Sequence, residues 1–188
     1  LRTASQDGAE IEWVDSNLPI DEAAEILKDT RAMILTGHTH VDLKLAAKCS
    51  ELRLIQTVSA GTDYLDKTAL GELGIRVSNN GGGNAVAVAE HTISLIVGTY
   101  RKFQLQFENV KDRKWMGDIR SDWFSQAHEL TGKTVGIVGL GRIGSRVALR
   151  LQGWECDLIY SDIVSPDPEL VEKVGLRKVD FDELLEIS

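Results

Sequence analysis

Thr134-Val135-Gly136-Ile137-Val138 runs without a break into Gly139-Leu140-Gly141-Arg142-Ile143-Gly144, and Ser145 to Leu151 follows with helix-forming residues. The first five residues are mostly β-branched, the composition of a short strand. The glycines that follow are spaced G-x-G-x-x-G, a pattern that acquires meaning between a strand and a helix, and both flanks are present. Gly139 permits a tight turn. Gly141 lets the backbone approach a pyrophosphate, held by helix N-terminal amides and the positive end of the helix dipole. Gly144 lets the helix lie close to the strand. A second strand, Asp157 to Tyr160, follows and leads to Asp162. That carboxylate lies about 20 residues past the glycines, where the partner of a ribose 2′-hydroxyl is expected. A carboxylate there repels a 2′-phosphate, so the expected coenzyme is NAD rather than NADP. The competing reading, a tight turn beside a surface Asp, leaves the ordered strand, turn, helix, strand and acid unexplained.

Upstream, short apolar runs alternate with helical patterns. Glu10 to Val14, Ala32 to Leu35, Leu52 to Val58 and Ile75 to Val77 read as strands. Asp21 to Lys28, Asp42 to Ala47 and Leu65 to Leu73 read as helices, the third closed by Gly74 as a left-handed C-cap. This alternation predicts a parallel sheet with helices on its faces. After Gly81-Gly82-Gly83 the rhythm changes. Val86, Ala89, Ile93, Ile96, Tyr100, Phe103 and Phe107 recur at spacings of three and four, predicting one long helix from Ala85 to about Phe107 with Asn84 as its N-cap. Val88, Leu95 and Val97 widen the stripe, so its first half is expected to be buried on most sides. From Lys111 to Thr131 the pattern is lost, and Trp115, Trp123 and Phe124 read as anchors of a loop. The expected boundary lies near Val97, giving domains 1–97 and 98–188.

The chain has 188 residues, 43% of them hydrophobic, which suits one large globular domain or two small ones. A net charge of -8 without a Lys/Arg run argues against a nucleic-acid or anionic-membrane partner. No stretch approaches the roughly 20 apolar residues of a membrane span. Cys49 and Cys156 belong to no metal or redox spacing and read as free thiols of a reducing compartment, the cytoplasm by default. The first residue is Leu1 rather than Met, so an N-terminal truncation is expected and a missing signal peptide carries little weight.

Four stretches together resemble the D-isomer-specific 2-hydroxyacid dehydrogenase family: Val58-Ser59-Ala60-Gly61-Thr62-Asp63, Asn84-Ala85-Val86-Ala87-Val88-Ala89-Glu90-His91, Glu129-Leu130-Thr131-Gly132-Lys133 with the glycine fingerprint after it, and Leu184-Leu185. The resemblance implies a flavodoxin-like substrate domain joined by a long interdomain helix to an incomplete Rossmann, doubly wound NAD-binding domain. It implies that Ser59, Ala60 and Gly61 present backbone amides to a substrate carboxylate. Taken alone, those residues fit equally well a strand-to-helix turn capped by Ser59 or Thr62. It implies further that Arg142 and Ile143 contact the coenzyme phosphates and adenosine side, and that Val88 lies near the coenzyme in an interdomain cleft. The activity implied is hydride transfer between NAD and a small D-2-hydroxy acid or its 2-oxo acid, in an enzyme that is a homodimer when full length. An NAD(H)-sensing corepressor and a formate dehydrogenase are the alternatives. The family often has proline where this chain has Gly81-Gly82-Gly83. Its catalytic Arg, Glu and His are expected beyond Ser188, so no catalytic residue is named here and the chain alone is expected not to turn over.

Other constellations read more plainly. His38-Thr39-His40 lacks the carboxylate–His set of a metal site. Glu90 and His91 read as helix residues at the domain junction, and His128 has no evident partner. Trp115 and Trp123 could serve a dimer contact or anchor their loop.

Overall fold

Among the described residues, every strand in the computed structural model pairs in parallel with its neighbour, as strand–helix alternation requires. The structure describes residues 8, 10–37, 39–115 and 125–188. It divides into two compact units, Leu1–Gly81 and Gly82–Ser188. The boundary expected near Val97 falls inside a helix of the second unit, because Ala89 of that helix is fully buried in the second unit's core.

In the first unit the order along the chain is α1 (Ile20–Leu27), β1 (Ala32–Leu35), α2 (Leu43–Lys48), β2 (Leu54–Thr57), α3 (Lys67–Glu72) and β3 (Arg76–Ser78), and the sheet order is β1-β2-β3. Local chemistry sets these boundaries. Asp42 accepts a hydrogen bond from the Lys44 amide at 2.7 Å and Asp66 from the Ala69 amide at 3.0 Å, so both short helices start on a carboxylate cap. Gly74, at φ 76°, closes α3 in the left-handed conformation anticipated for it. Leu52, Ile55, Leu70 and Ile75 fill the core with Met33 and Leu35. Glu10 to Val14 forms no strand; its residues are mostly exposed, and the apolar face its alternation offers stays unburied, with Ile11 57% and Trp13 77% accessible.

The second unit runs α4 (Ala85–Tyr100), α5 (Phe103–Lys111), β4 (Thr134–Val138), α6 (Gly144–Leu151), β5 (Asp157–Ser161), α7 (Pro168–Val174), β6 (Arg177–Lys178) and α8 (Phe181–Ile187), with sheet order β4-β5-β6. Leu158, Ile159 and Tyr160 are all buried, as a central parallel strand covered on both faces demands. α4 packs on α6, and an ion pair of 2.9 Å from Arg150 to Glu90 ties the two together. α8 covers β4 so closely that a Cβ on Gly136 would lie 2.7 Å from Leu184 Cδ2 and 2.8 Å from Ser188 Oγ. Gly136→Ala is therefore expected to cost about 1–3 kcal/mol by overpacking, read as a lower denaturant midpoint.

The long helix expected from Ala85 to about Phe107 is two helices. Lys102 adopts a left-handed φ of 55°, and Phe103 turns back to pack on Gly98. The apolar stripe crosses this break unaltered, so periodicity could not reveal it. Nor does Asn84 cap α4 with its side chain; a turn takes over, in which the Ala85 amide donates to the Gly82 carbonyl at 3.1 Å. The first half of α4 is buried on one face only: Ala85 and Ala89 are inaccessible, Val88 is half-buried, and Val86 and His91 are exposed. Trp115 is exposed, while Trp123, Phe124 and His38 lie outside the described residues. No described helix is long and apolar enough to cross a membrane.

Candidate functional site

In the second unit, the C-terminal ends of β4 and β5 carry one candidate site. The Gly139 amide donates to the Ser161 carbonyl at 2.8 Å and the Leu140 amide to Asp162 Oδ2 at 2.6 Å, which closes the glycine loop onto the end of β5. The other carboxylate oxygen, Oδ1, accepts from the Val164 amide at 2.9 Å. These amides, Val164 first and Leu140 next, hold the Asp162 carboxyl below its ordinary value, helped by the Ile163 amide and the Lys178 charge against some desolvation. Asp162 is therefore ionised throughout the neutral range. Each carboxylate carries about four lone-pair sites, so it can still accept from a sugar hydroxyl.

The three glycines have separate physical reasons. Gly139 has a φ of 84°, which side-chain-bearing residues rarely adopt. A Cβ on Gly144 would lie 2.0 Å from the Gly139 carbonyl oxygen. A Cβ on Gly141 would meet nothing within 4 Å, so packing inside the chain does not explain this glycine, whereas the approach of a ligand does. The start of α6 reinforces this. Its N-terminal residue Ile143 offers no side-chain cap, and among the described residues the amides of Gly141, Arg142, Ile143 and Gly144 find no acceptor. Four adjacent free amides at a helix N-terminus make an anion cradle. Arg142 is exposed beside them, its guanidinium without an acceptor or carboxylate partner among the described residues. The residues thus fit a dinucleotide pyrophosphate. The structure brings together six residues singled out in the sequence: Gly139, Gly141, Arg142, Ile143, Gly144 and Asp162. Val88 is on α4 of the same unit, held in its helix by a 2.9 Å bond from its amide to Asn84.

The first unit carries a candidate of its own, the loop after β2. The carbonyls of Val58 to Gly61 are all engaged: Val58 accepts from Asn80 Nδ2 at 3.5 Å, Ser59 from Thr57 Oγ1 at 2.8 Å and from the Asn80 amide at 3.2 Å, Ala60 from Asn79 Nδ2 at 2.6 Å, and Gly61 from Ser59 Oγ at 3.1 Å. The amides of Ser59, Ala60 and Gly61 have no acceptor among the described residues. With carbonyls tied and amides free, the loop presents donors, as an anion site requires. Ser59 does not act as a helix cap here; its hydroxyl stays within the loop. Asn79 and Asn80 were not identified from the sequence, since their role depends on neighbours far back along the chain.

Residues 1–177 match the D-isomer specific 2-hydroxyacid dehydrogenase family, catalytic domain. The chain belongs to that family. Among its relatives, the D-3-phosphoglycerate dehydrogenase of Archaeoglobus fulgidus is 34% identical over 184 residues, covering 97% of this chain and 33% of that protein. A formate dehydrogenase of Chaetomium thermophilum is 35% identical over 166 residues, covering 85% of this chain and 44% of that protein. The solved structure of D-lactate dehydrogenase from Aquifex aeolicus, complexed with NAD and lactic acid, superposes with a TM-score of 0.76 at 29% identity, covering 92% of this chain and 49% of that one. The chain therefore spans less than half the length of these relatives. The likeness establishes the Rossmann-like α/β fold of the family. Among the described residues no group of three His, Cys, Asp or Glu side chains is placed to hold a metal.

Proposed function

We propose that the protein carrying this chain is an NAD-dependent oxidoreductase interconverting a small D-2-hydroxy acid and its 2-oxo acid. The observation that carries this reading is the glycine loop locked to Asp162 with four free amides at the start of α6. NAD, when bound, supplies hydride acceptance and donation at its nicotinamide. The amides of Gly141 to Gly144 and the Arg142 charge hold the pyrophosphate, and Asp162 accepts from the adenosine ribose. Ile143 and Val88 contribute apolar surface on the coenzyme side. Ser59, Ala60 and Gly61 bind the substrate carboxylate through their amides, which fixes the acid end of the substrate. Proton transfer at C2 is assigned to no residue of this chain.

We further propose that the protein works in the cytoplasm as a homodimer. Cys49 and Cys156 are unpaired, and burial pushes both thiols up, leaving them poor nucleophiles suited to a structural role. Light scattering should give twice the protomer mass.

The test is NADH production by the complete protein from D-lactate, D-3-phosphoglycerate, D-mandelate and formate, acids named in the relatives and neighbours of this chain. Turnover of at least one 2-hydroxy acid is expected. Turnover of formate alone would move the protein to formate dehydrogenation, and NAD binding without any turnover would make it a coenzyme-sensing binding protein. Asn79→Ala should raise KM for the acid by about five- to tenfold, leaving the NADH affinity unchanged, because it frees the Ala60 carbonyl and lets the loop amides turn away.

A further inference from the structure

Gly82 stands in the turn that leads into α4, at a φ of 90°. A Cβ there would lie 2.7 Å from Arg142 Cδ, 3.4 Å from Nε and 3.8 Å from Cγ. The aliphatic stem of Arg142 thus crosses the bare α-carbon of Gly82, closer than any side chain would permit. Arg142 otherwise has an uncommitted charge: among the described residues only its carbonyl is engaged, by Arg146 Nη1 at 2.7 Å. An arginine with a seated stem and a free guanidinium has lost part of its rotamer freedom before any ligand arrives, so less is lost when it binds an anion.

We propose that Gly82 is a positioning residue for coenzyme binding: its missing side chain forms the seat that holds Arg142 beside the free amides of the glycine loop. The inference rests on the reading of that loop as the NAD pyrophosphate site. Any L side chain at position 82 displaces the arginine stem, which is flexible and can swing away, while the loop amides and Asp162 stay in place. Gly82 therefore acts on the pyrophosphate through Arg142 alone.

A double-mutant cycle on the full chain, read as the NADH dissociation constant by fluorescence titration, separates this from backbone strain. Arg142→Ala should weaken NADH about tenfold, the loss of one charge-assisted contact. Gly82→Ala should weaken it about fivefold, and the double variant should bind no more weakly than Arg142→Ala. Strain at a positive φ persists in both backgrounds, so it cannot produce that cancellation. Should Gly82→Ala fail to fold, Gly82→Asn, which tolerates the left-handed region better, enters the same cycle. If Gly82→Ala leaves affinity intact, or weakens it equally with and without Arg142, the inference is overturned. If Arg142→Ala itself leaves affinity unchanged, the assignment of Arg142 to the pyrophosphate fails and this inference fails with it.

Discussion

Gly144→Ala is expected to abolish measurable NADH binding and to destabilise the protein by about 3 kcal/mol or more, the upper range for forced overpacking. The added Cβ would sit 2.0 Å from the Gly139 carbonyl oxygen, a backbone atom, and 3.2 Å from Ile137 Cγ2. The oxygen cannot retreat cheaply, because the Gly139 and Leu140 amides on either side are fastened to Ser161 and Asp162. Relief must come from moving α6 outward, which dismantles the cradle of amides. In a protein of this size the thermal midpoint should fall by roughly 6–12 °C. Gly141→Ala makes the contrasting case. Its Cβ meets nothing within 4 Å, so stability should change by less than about 0.5 kcal/mol, yet NADH binding should weaken by at least about tenfold because the methyl group occupies the path of the pyrophosphate. Retained NADH binding in both variants would remove the glycine loop from the coenzyme site.

The second large effect concerns coenzyme choice. The native protein should prefer NADH over NADPH by about 100-fold or more, since a 2′-phosphate would be set against an ionised carboxylate of the same sign. Asp162→Ala should narrow that preference to within about tenfold and should also weaken NADH itself, because the ribose loses its acceptor. The pH dependence follows from the direction of the Asp162 shift. A carboxyl held below its ordinary value contributes fully above that value and loses its contribution as pH falls through the lowered one. NADH preference should therefore be flat through neutral pH and decline only in acid, and the decline should vanish in Asp162→Asn. Titrations of both coenzymes over a pH series check each part.

How much of this was legible in the sequence depended on how local the determining physics is. The glycine loop could be read because Gly139 and Gly144 answer steric demands set within a few residues, Gly141 answers the approach of a ligand, and β4, α6 and β5 follow one another without interruption. The C-cap at Gly74 is local in the same sense and legible, whereas the carboxylate caps at Asp42 and Asp66, equally local, emerged only with the structure; α2 and α3 ended near where they were expected. The break at Lys102 was hidden because Phe103 and Phe107 continue the apolar stripe of α4 on the far side of it, and a lysine does not announce a left-handed φ. Glu10 to Val14 shows alternation in sequence, but a strand also needs a partner edge, which periodicity does not supply. The free amides of Ser59 to Gly61 were implied by resemblance only. What turns them outward is a set of bonds from Asn79 and Asn80 to carbonyls of an earlier loop, an arrangement visible only once β2 and β3 lie side by side. In sequence Gly82 is one of three consecutive glycines where the family often has proline; its neighbour across space, Arg142, gives it a steric reason.

The central claim is that residues 139 to 144 with Asp162 bind a nicotinamide dinucleotide, and a calorimetric titration of NADH and NADPH into the purified chain tests it most directly. The account predicts saturable NADH binding at one site per chain, much weaker NADPH binding, and loss of the NADH signal in Gly144→Ala. Absence of binding in the native, folded chain, or equal affinity for the two coenzymes, would contradict it.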